Sequence, residues 1–176
     1  MKIFLNAGHG GTDAGACSKS GTKEADITAK VVSLLAERLK LNWYPFECFQ
    51  QQKSIFEVSK AENKSGATFF MSIHCNSHAN PNAHGVEVWY CEGSAKGKQI
   101  AQIVQDELIK ATNLTNRGIK CSSSLHVLKR TKAPAVLVEL AFLSNPGEEK
   151  LLKEKPEMFS NALWEAIKIL KTKGLL

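Results

Sequence analysis

The chain has 176 residues, 43% of them hydrophobic, and a formal net charge of +6. That length holds one domain with one hydrophobic core and is too short for two full-sized domains, so residues 1–176 are read as a single unit. No apolar stretch reaches the roughly 18 residues a membrane span needs, and the short apolar core near the N-terminus falls below the ~7 to 15 residues of an export signal. The expectation is synthesis in the cytoplasm without a visible signal peptide, and no membrane insertion. The positive charge suits nucleic acid or an anionic envelope polymer, but the lysines are scattered, which favours an ordinary solvated surface and no nucleic-acid partner. Cys17, Cys48, Cys75, Cys91 and Cys121 lie far apart with no CxxC pair, which excludes a zinc ribbon or a thioredoxin-like motif and favours reduced thiols.

In chain order, the run Ile3-Phe4-Leu5 ends in a glycine-flanked histidine, His9, the pattern of a buried strand feeding a loop. Residues 24 to 39 place Ile27, Val31, Leu34, Leu35 and Leu39 at helical spacing, with Thr22 as the expected cap. WYPFECF, residues 43 to 49, is aromatic and interrupted by Pro45, which suits an edge strand. Ser54 followed by Glu57 resembles a capping box opening a helix to about Asn63. FFMSI, residues 69 to 73, is a second buried-strand run and ends in His74. GVEVWYC, residues 85 to 91, alternates with the period of a strand. Ser94 caps a helix over 95 to 112, a polar loop follows, strand candidates fall at 125 to 128 and 135 to 140, and a last helix runs from about Glu157 to Lys171. Strands alternating with helices predict an α/β sandwich whose central strands are buried on both faces.

Three apolar runs thus end in side chains of chemical interest: His9, His74 and, after AVLV at 135 to 138, Glu139. In open α/β sheets the crevice beyond the strands' carboxyl ends is where ligands bind. VLVELAFL otherwise reads as a strand buried on both faces, so Glu139 is costly unless paired, bound to metal or held for catalysis; a structural salt bridge is an even alternative. Either histidine alone reads as a satisfied buried side chain. Together they suggest a two-histidine metal site, which wants a third ligand. Glu24, at the start of the first helix, can swing back over the strand ends, although its position alone suits an exposed glutamate drawn by the helix macrodipole. No HExxH is present, so the ligands are dispersed.

AGHGGTDAGA, the glutamate of TKEAD, SGATFFMSIHCNS, GVEVWY and VLKRTKAPAVLVELAFLSNP occur in an order and spacing that resemble the zinc-dependent N-acetylmuramoyl-L-alanine amidases of the amidase-3 type, from residue 3 to about 170. The resemblance implies a three-layer α/β fold with a mixed, mainly parallel six-stranded sheet flanked by helices. It implies one zinc ion held by His9, Glu24 and His74, with Glu139 catalytic. The implied substrate is peptidoglycan, cut at the amide between N-acetylmuramic acid and L-alanine of the stem peptide, by an enzyme expected to be monomeric. Such a site activates water, and Glu139 takes its proton and returns it to the departing amine.

Several positions depart from the family pattern. Asn6-Ala7 replaces the usual Asp-Pro, and Val58 and Lys129 stand where arginines are common; a lysine lacks the bidentate fork. Cys75 faces away from the metal if residues 69 to 75 stay extended. Asn76 and Asn145 orient groups near the site or serve as turn residues, and His78, His84 and His126 match no ligand position. Three other functions remain compatible with the sequence. One keeps the zinc and changes the amide, making a peptidase or deacylase; one is a thiol hydrolase built on Cys17 or Cys75; one is a binding module resting on charge, which leaves Glu139 unexplained. The expected place of action is the cell wall after release or lysis, as for a phage or sporulation lysin, or for a catalytic domain cut from a longer chain.

Overall fold

The three apolar runs lie side by side because each is buried on both faces and satisfies its backbone groups by pairing inside one sheet. A computed structural model describes all 176 residues. Its elements are β1 (Ile3–Ala7), α1 (Glu24–Leu41), β2 (Phe46–Gln50), α2 (Ile55–Ser65), β3 (Phe69–Asn76), β4 (Val86–Cys91), α3 (Ala95–Thr112), β5 (Asn116–Ser122), α4 (His126–Lys129), β6 (Ala135–Phe142), α5 (Pro146–Glu154) and α6 (Pro156–Thr172). The six strands form one sheet in the order β2-β1-β3-β6-β4-β5. β1, β2, β3 and β6 run parallel, while β4 and β5 run the other way, with β4 antiparallel to β6.

Helices cover the two faces unequally. On one face α1, α3 and α6 bury Val31, Leu35, Ile100, Val104, Leu163 and Ile167 against Leu5, Ile73 and Val138 of the sheet. On the other, Phe4, Phe70, Ala135 and Leu137 pack beneath Val58 of α2 and Val127 and Leu128 of α4. These are the early residues of their strands. With α2 only 11 residues long and α4 only 4, the later residues of the same face are left for other use.

Several expectations are corrected. β3 and β6 continue past His74 and Glu139, so both side chains stand on a sheet face, two or three residues before the strand ends. Thr22 does not cap α1; Lys23 precedes it without a side-chain cap, and the Thr22 hydroxyl donates to Glu149. Ser54 does cap α2, accepting from Phe56 N, but Glu57 turns back to Gln52 N and Lys53 N. The polar loop after α3 contains β5, an edge strand with one large apolar residue, Ile119, and thus little hydrophobic signal. Residues 126 to 129 form a helical turn rather than a strand. Asn145 is an N-cap, accepting from Gly147 N and Glu148 N with Pro146 in the first turn, and so opens a helix the apolar pattern did not reveal.

Candidate metal centre

The turn after β1 is shaped by backbone that most residues avoid. His9 has φ 63°, a left-handed conformation that costs a non-glycine residue about 1–3 kcal/mol and persists only where its surroundings over-determine it. They do. Asp13 and Gly10 exchange two backbone hydrogen bonds, and Asp13 Oδ2 lies 2.9 Å from His9 Nδ1. Asp13 is itself held, its Oδ1 accepting from Gly15 N at 2.9 Å and its Oδ2 from Gln51 Nε2 at 3.0 Å. With Nδ1 so engaged, His9 Nε2 is left facing Glu24 Oε2 at 3.2 Å. Two glycines permit the approach. A Cβ on Gly8 would overlap the His74 imidazole, and one on Gly15 would lie 2.6 Å from His9 and 2.7 Å from Glu24 Oε2.

Glu24 is buried, at 3% exposure, which removes the reading of it as a solvated helix-start residue. Its Oε1 accepts from Cys75 N at 3.0 Å and lies 3.0 Å from His74 Nδ1, while Oε2 accepts from Ala16 N at 2.9 Å. Burial pushes its carboxyl up, but hydrogen bonds from His74 and His9 outweigh this and hold it well below the usual range. The same contact with Glu24, working against burial and aided by Asp13, raises His9 to about 9. One ligand atom from each of His9, Glu24 and His74 lies within 4.8 Å of the others.

His74 stands on β3 between this carboxylate and a buried polar chain. Its Nε2 is 3.1 Å from Ser72 Oγ, and Ser72 Oγ donates to Asn6 Oδ1 at 2.7 Å. The Asn6 amide cannot turn, because its Nδ2 donates to the carbonyls of Ala7 and Phe49. Ser72 has one proton and gives it to Asn6, so it must accept from His74. His74 therefore carries a hydrogen on Nε2, and Nδ1, 3.0 Å from Glu24 Oε1, is the nitrogen left to face the ligand cluster.

Parallel pairing sets Glu139 of β6 directly beside His74, and antiparallel pairing sets Glu87 of β4 beside Glu139. Cross-strand partners share a face, so the three form a row on the uncovered side of the sheet. Glu139 Oε2 is buried without a hydrogen-bond partner. Burial, aided by the nearby carboxylates of Glu24 and Glu87, raises this acid to about 7 against the pull of His74. A cleft of about 300 Å³ opens beside the His74 end of the row, with Asn6, His9, Asp13, Gln51, His74 and Val127 among its walls.

Asp13, Ser72 and Glu87 escaped the sequence reading, and only the spacing of Asp13 four residues after His9 offered a hint. Cys75 packs into the core on the opposite face, where burial raises its thiol well above the usual range. His126 lies against Ser59 and Phe56, away from the three-residue cluster.

An α/β sandwich carrying a two-histidine, one-carboxylate cluster beside a glutamate with a buried, unpartnered oxygen has the architecture of a metal-dependent hydrolase. Residues 3–168 match the N-acetylmuramoyl-L-alanine amidase model, Amidase_3, and the chain belongs to that family. A probable cell wall amidase of Staphylococcus aureus, LytH, is 30% identical over 172 residues, covering 95% of this chain and 57% of its own length. The chain thus spans little more than half of that relative. The crystal structure of N-acetylmuramoyl-L-alanine amidase from Clostridium difficile 630 superposes with a TM-score of 0.89 at 26% identity, covering 97% of this chain and 96% of that one. The catalytic domain of CwlV from Bacillus (Paenibacillus) polymyxa var. colistinus gives 0.84 at 27% identity, with 99% of each chain covered.

Proposed function

We propose that this chain is a single amidase catalytic domain that hydrolyses the amide between N-acetylmuramic acid and L-alanine in peptidoglycan, using one zinc ion held by His9, Glu24 and His74. The observation that carries the reading is the three converging ligand atoms with an unpartnered oxygen of Glu139 on the adjoining strand. The donor set fits zinc: two neutral imidazole nitrogens and a carboxylate, each fastened on its far side, Asp13 behind His9 and Ser72 behind His74. In the metal-free protein the same groups share a proton, which a divalent cation displaces.

A bound zinc supplies a Lewis acid that polarises a carbonyl and makes water acidic near neutral pH. The chain's own part is positional and protonic. Glu139 Oε2, held in an environment that destabilises its charge, takes the proton of the attacking water and hands it to the nitrogen of L-alanine as the amide breaks. Asp13, Ser72 and Asn6 keep both imidazoles in one orientation throughout. Every one of these residues comes from one chain, so the site is complete without a partner subunit. No helix is long and apolar enough to cross a membrane, and the cell wall is the proposed place of action.

Purified peptidoglycan incubated with the protein should gain free amino groups on alanine with no rise in reducing sugar ends. Release of reducing ends alone, or of amino groups from other stem residues, would overturn the assignment.

A further inference from the structure

Glu87 is a buried carboxylate with more positive partners than its charge requires. It is 3% exposed and accepts from four donors: Asn76 Nδ2 and Trp89 Nε1 at 3.1 Å on one oxygen, Arg117 Nε and Lys120 Nζ at 2.6 Å on the other. One cation would neutralise it. Two leave a net positive charge on the sheet face that carries His74 and Glu139, and both are about one-third exposed. Each cation is also braced on an aromatic ring, Arg117 4.8 Å above Phe142 and Lys120 5.2 Å from Trp89. Their donors are not used up, since the ammonium has three hydrogens and only one is spent on Glu87. Long cationic side chains ordinarily lose rotamer freedom when they bind an anion, and here that loss has already been taken in folding.

We infer that Arg117 and Lys120, held by Glu87, form an anion subsite for the α-carboxylate of the D-glutamyl residue that follows L-alanine in the stem peptide. This rests on the reading of the chain as acting on muramoyl peptides. The dimensions agree. Glu87 is one strand from Glu139 and the cations lie between β4 and β5, so the subsite is about 5–10 Å from the general base at the ordinary strand spacing. Two extended residues span about 7 Å. Peptide therefore leaves the centre over β4 and β5, and the glycan lies toward β1 and α2.

The test uses product peptides, so that binding is read whether or not the protein cleaves wall. L-Alanyl-γ-D-glutamyl-L-lysine and the same peptide with its D-glutamyl α-carboxyl amidated are titrated into the zinc-loaded protein by calorimetry. The acid should bind about tenfold or more tightly, the scale of a charge-assisted hydrogen bond, and the preference should shrink as salt is raised. Lys120→Gln should bring the two affinities together, and Lys120→Arg should restore the difference. Equal affinities in the parent protein overturn the subsite even if every variant fails to fold, and so does a preference that survives Lys120→Gln in folded protein. A protein that prefers the acid yet releases no alanine amino groups from peptidoglycan would keep the subsite and lose the amidase reading; cleavage with no preference does the reverse.

Discussion

Replacing Ser72 by alanine probes the polar chain behind His74 without touching a ligand or the cleft surface. Ser72 is fully buried, and its hydroxyl links His74 Nε2 at 3.1 Å to Asn6 Oδ1 at 2.7 Å. Its loss strands a donor and an acceptor, and each buried polar group left without a partner costs about 1–3 kcal/mol, so a destabilisation of about 2 kcal/mol or more is expected. The second effect is on the metal. With Nε2 no longer held, that nitrogen can give up its proton and leave the ring's only proton on Nδ1, against Glu24 at 3.0 Å, a tautomer that cannot ligate through Nδ1. Loss of an outer partner typically weakens metal binding by about 10–100-fold. Zinc affinity measured against a competing chelator should fall by that factor, and nitrogen NMR of the metal-free variant should show His74 Nε2 losing its proton relative to the parent. A variant that melts lower but binds zinc like the parent, with His74 still protonated on Nε2, would leave Ser72 as packing only and refute the tautomer argument.

Gly15→Ala should destabilise the loop and lower zinc content, because a Cβ there is strained at φ 67° and would lie within 2.7 Å of His9 and Glu24; unchanged metal content by elemental analysis would contradict the close approach. The metal-free protein should be most stable near pH 5, since Glu139, raised to about 7 by burial, withdraws stability as pH rises from 4.5 to 7. The raised His9 contributes stability that is complete below 6.5 and disappears as pH rises through about 9, and the lowered Glu24 contributes stability present above 4.5 that is lost on acidification. Thermal melts of chelator-treated protein should show the alkaline decline, and zinc-loaded protein should lose most of it; a flat metal-free profile between pH 6.5 and 9 would contradict the assignment. A chelator should abolish peptidoglycan cleavage and zinc restore it, whereas iodoacetamide should leave activity intact, since Cys75 is buried with its thiol raised and the exposed Cys17 is not part of the ligand cluster; the reverse pattern would favour a thiol hydrolase.

What the sequence revealed followed the strength of its apolar patterns. β1, β3 and β6 are near-continuous apolar runs, so the polar side chains interrupting or ending them stood out, and His9, His74 and Glu139 were legible for that reason. Glu24 was not, because an acid in a helix's first turn is commonplace, and only the path of the loop from Gly8 to Lys23 brings it beneath the two imidazoles. Position within a strand was read two or three residues short, which made a sheet-face site look like an edge crevice. β5 was lost because an edge strand facing the solvent needs few apolar residues, and with it went Arg117 and Lys120. The supporting bonds of Asp13, Ser72 and Asn6 depend on pairings between distant strands and loops that no local pattern encodes.

The central claim is that Glu139 moves a proton while His9, Glu24 and His74 hold the metal, and Glu139→Gln tests it with two readings on one sample. Glutamine keeps the shape of the side chain and removes its capacity to accept a proton. Zinc content should remain near one ion per chain while the release of alanine amino groups falls by ~10² to 10⁴, the usual worth of general acid–base help. A folded, zinc-loaded Glu139→Gln protein as active as the parent would contradict the role, and a folded protein that had lost its zinc would make Glu139 a ligand.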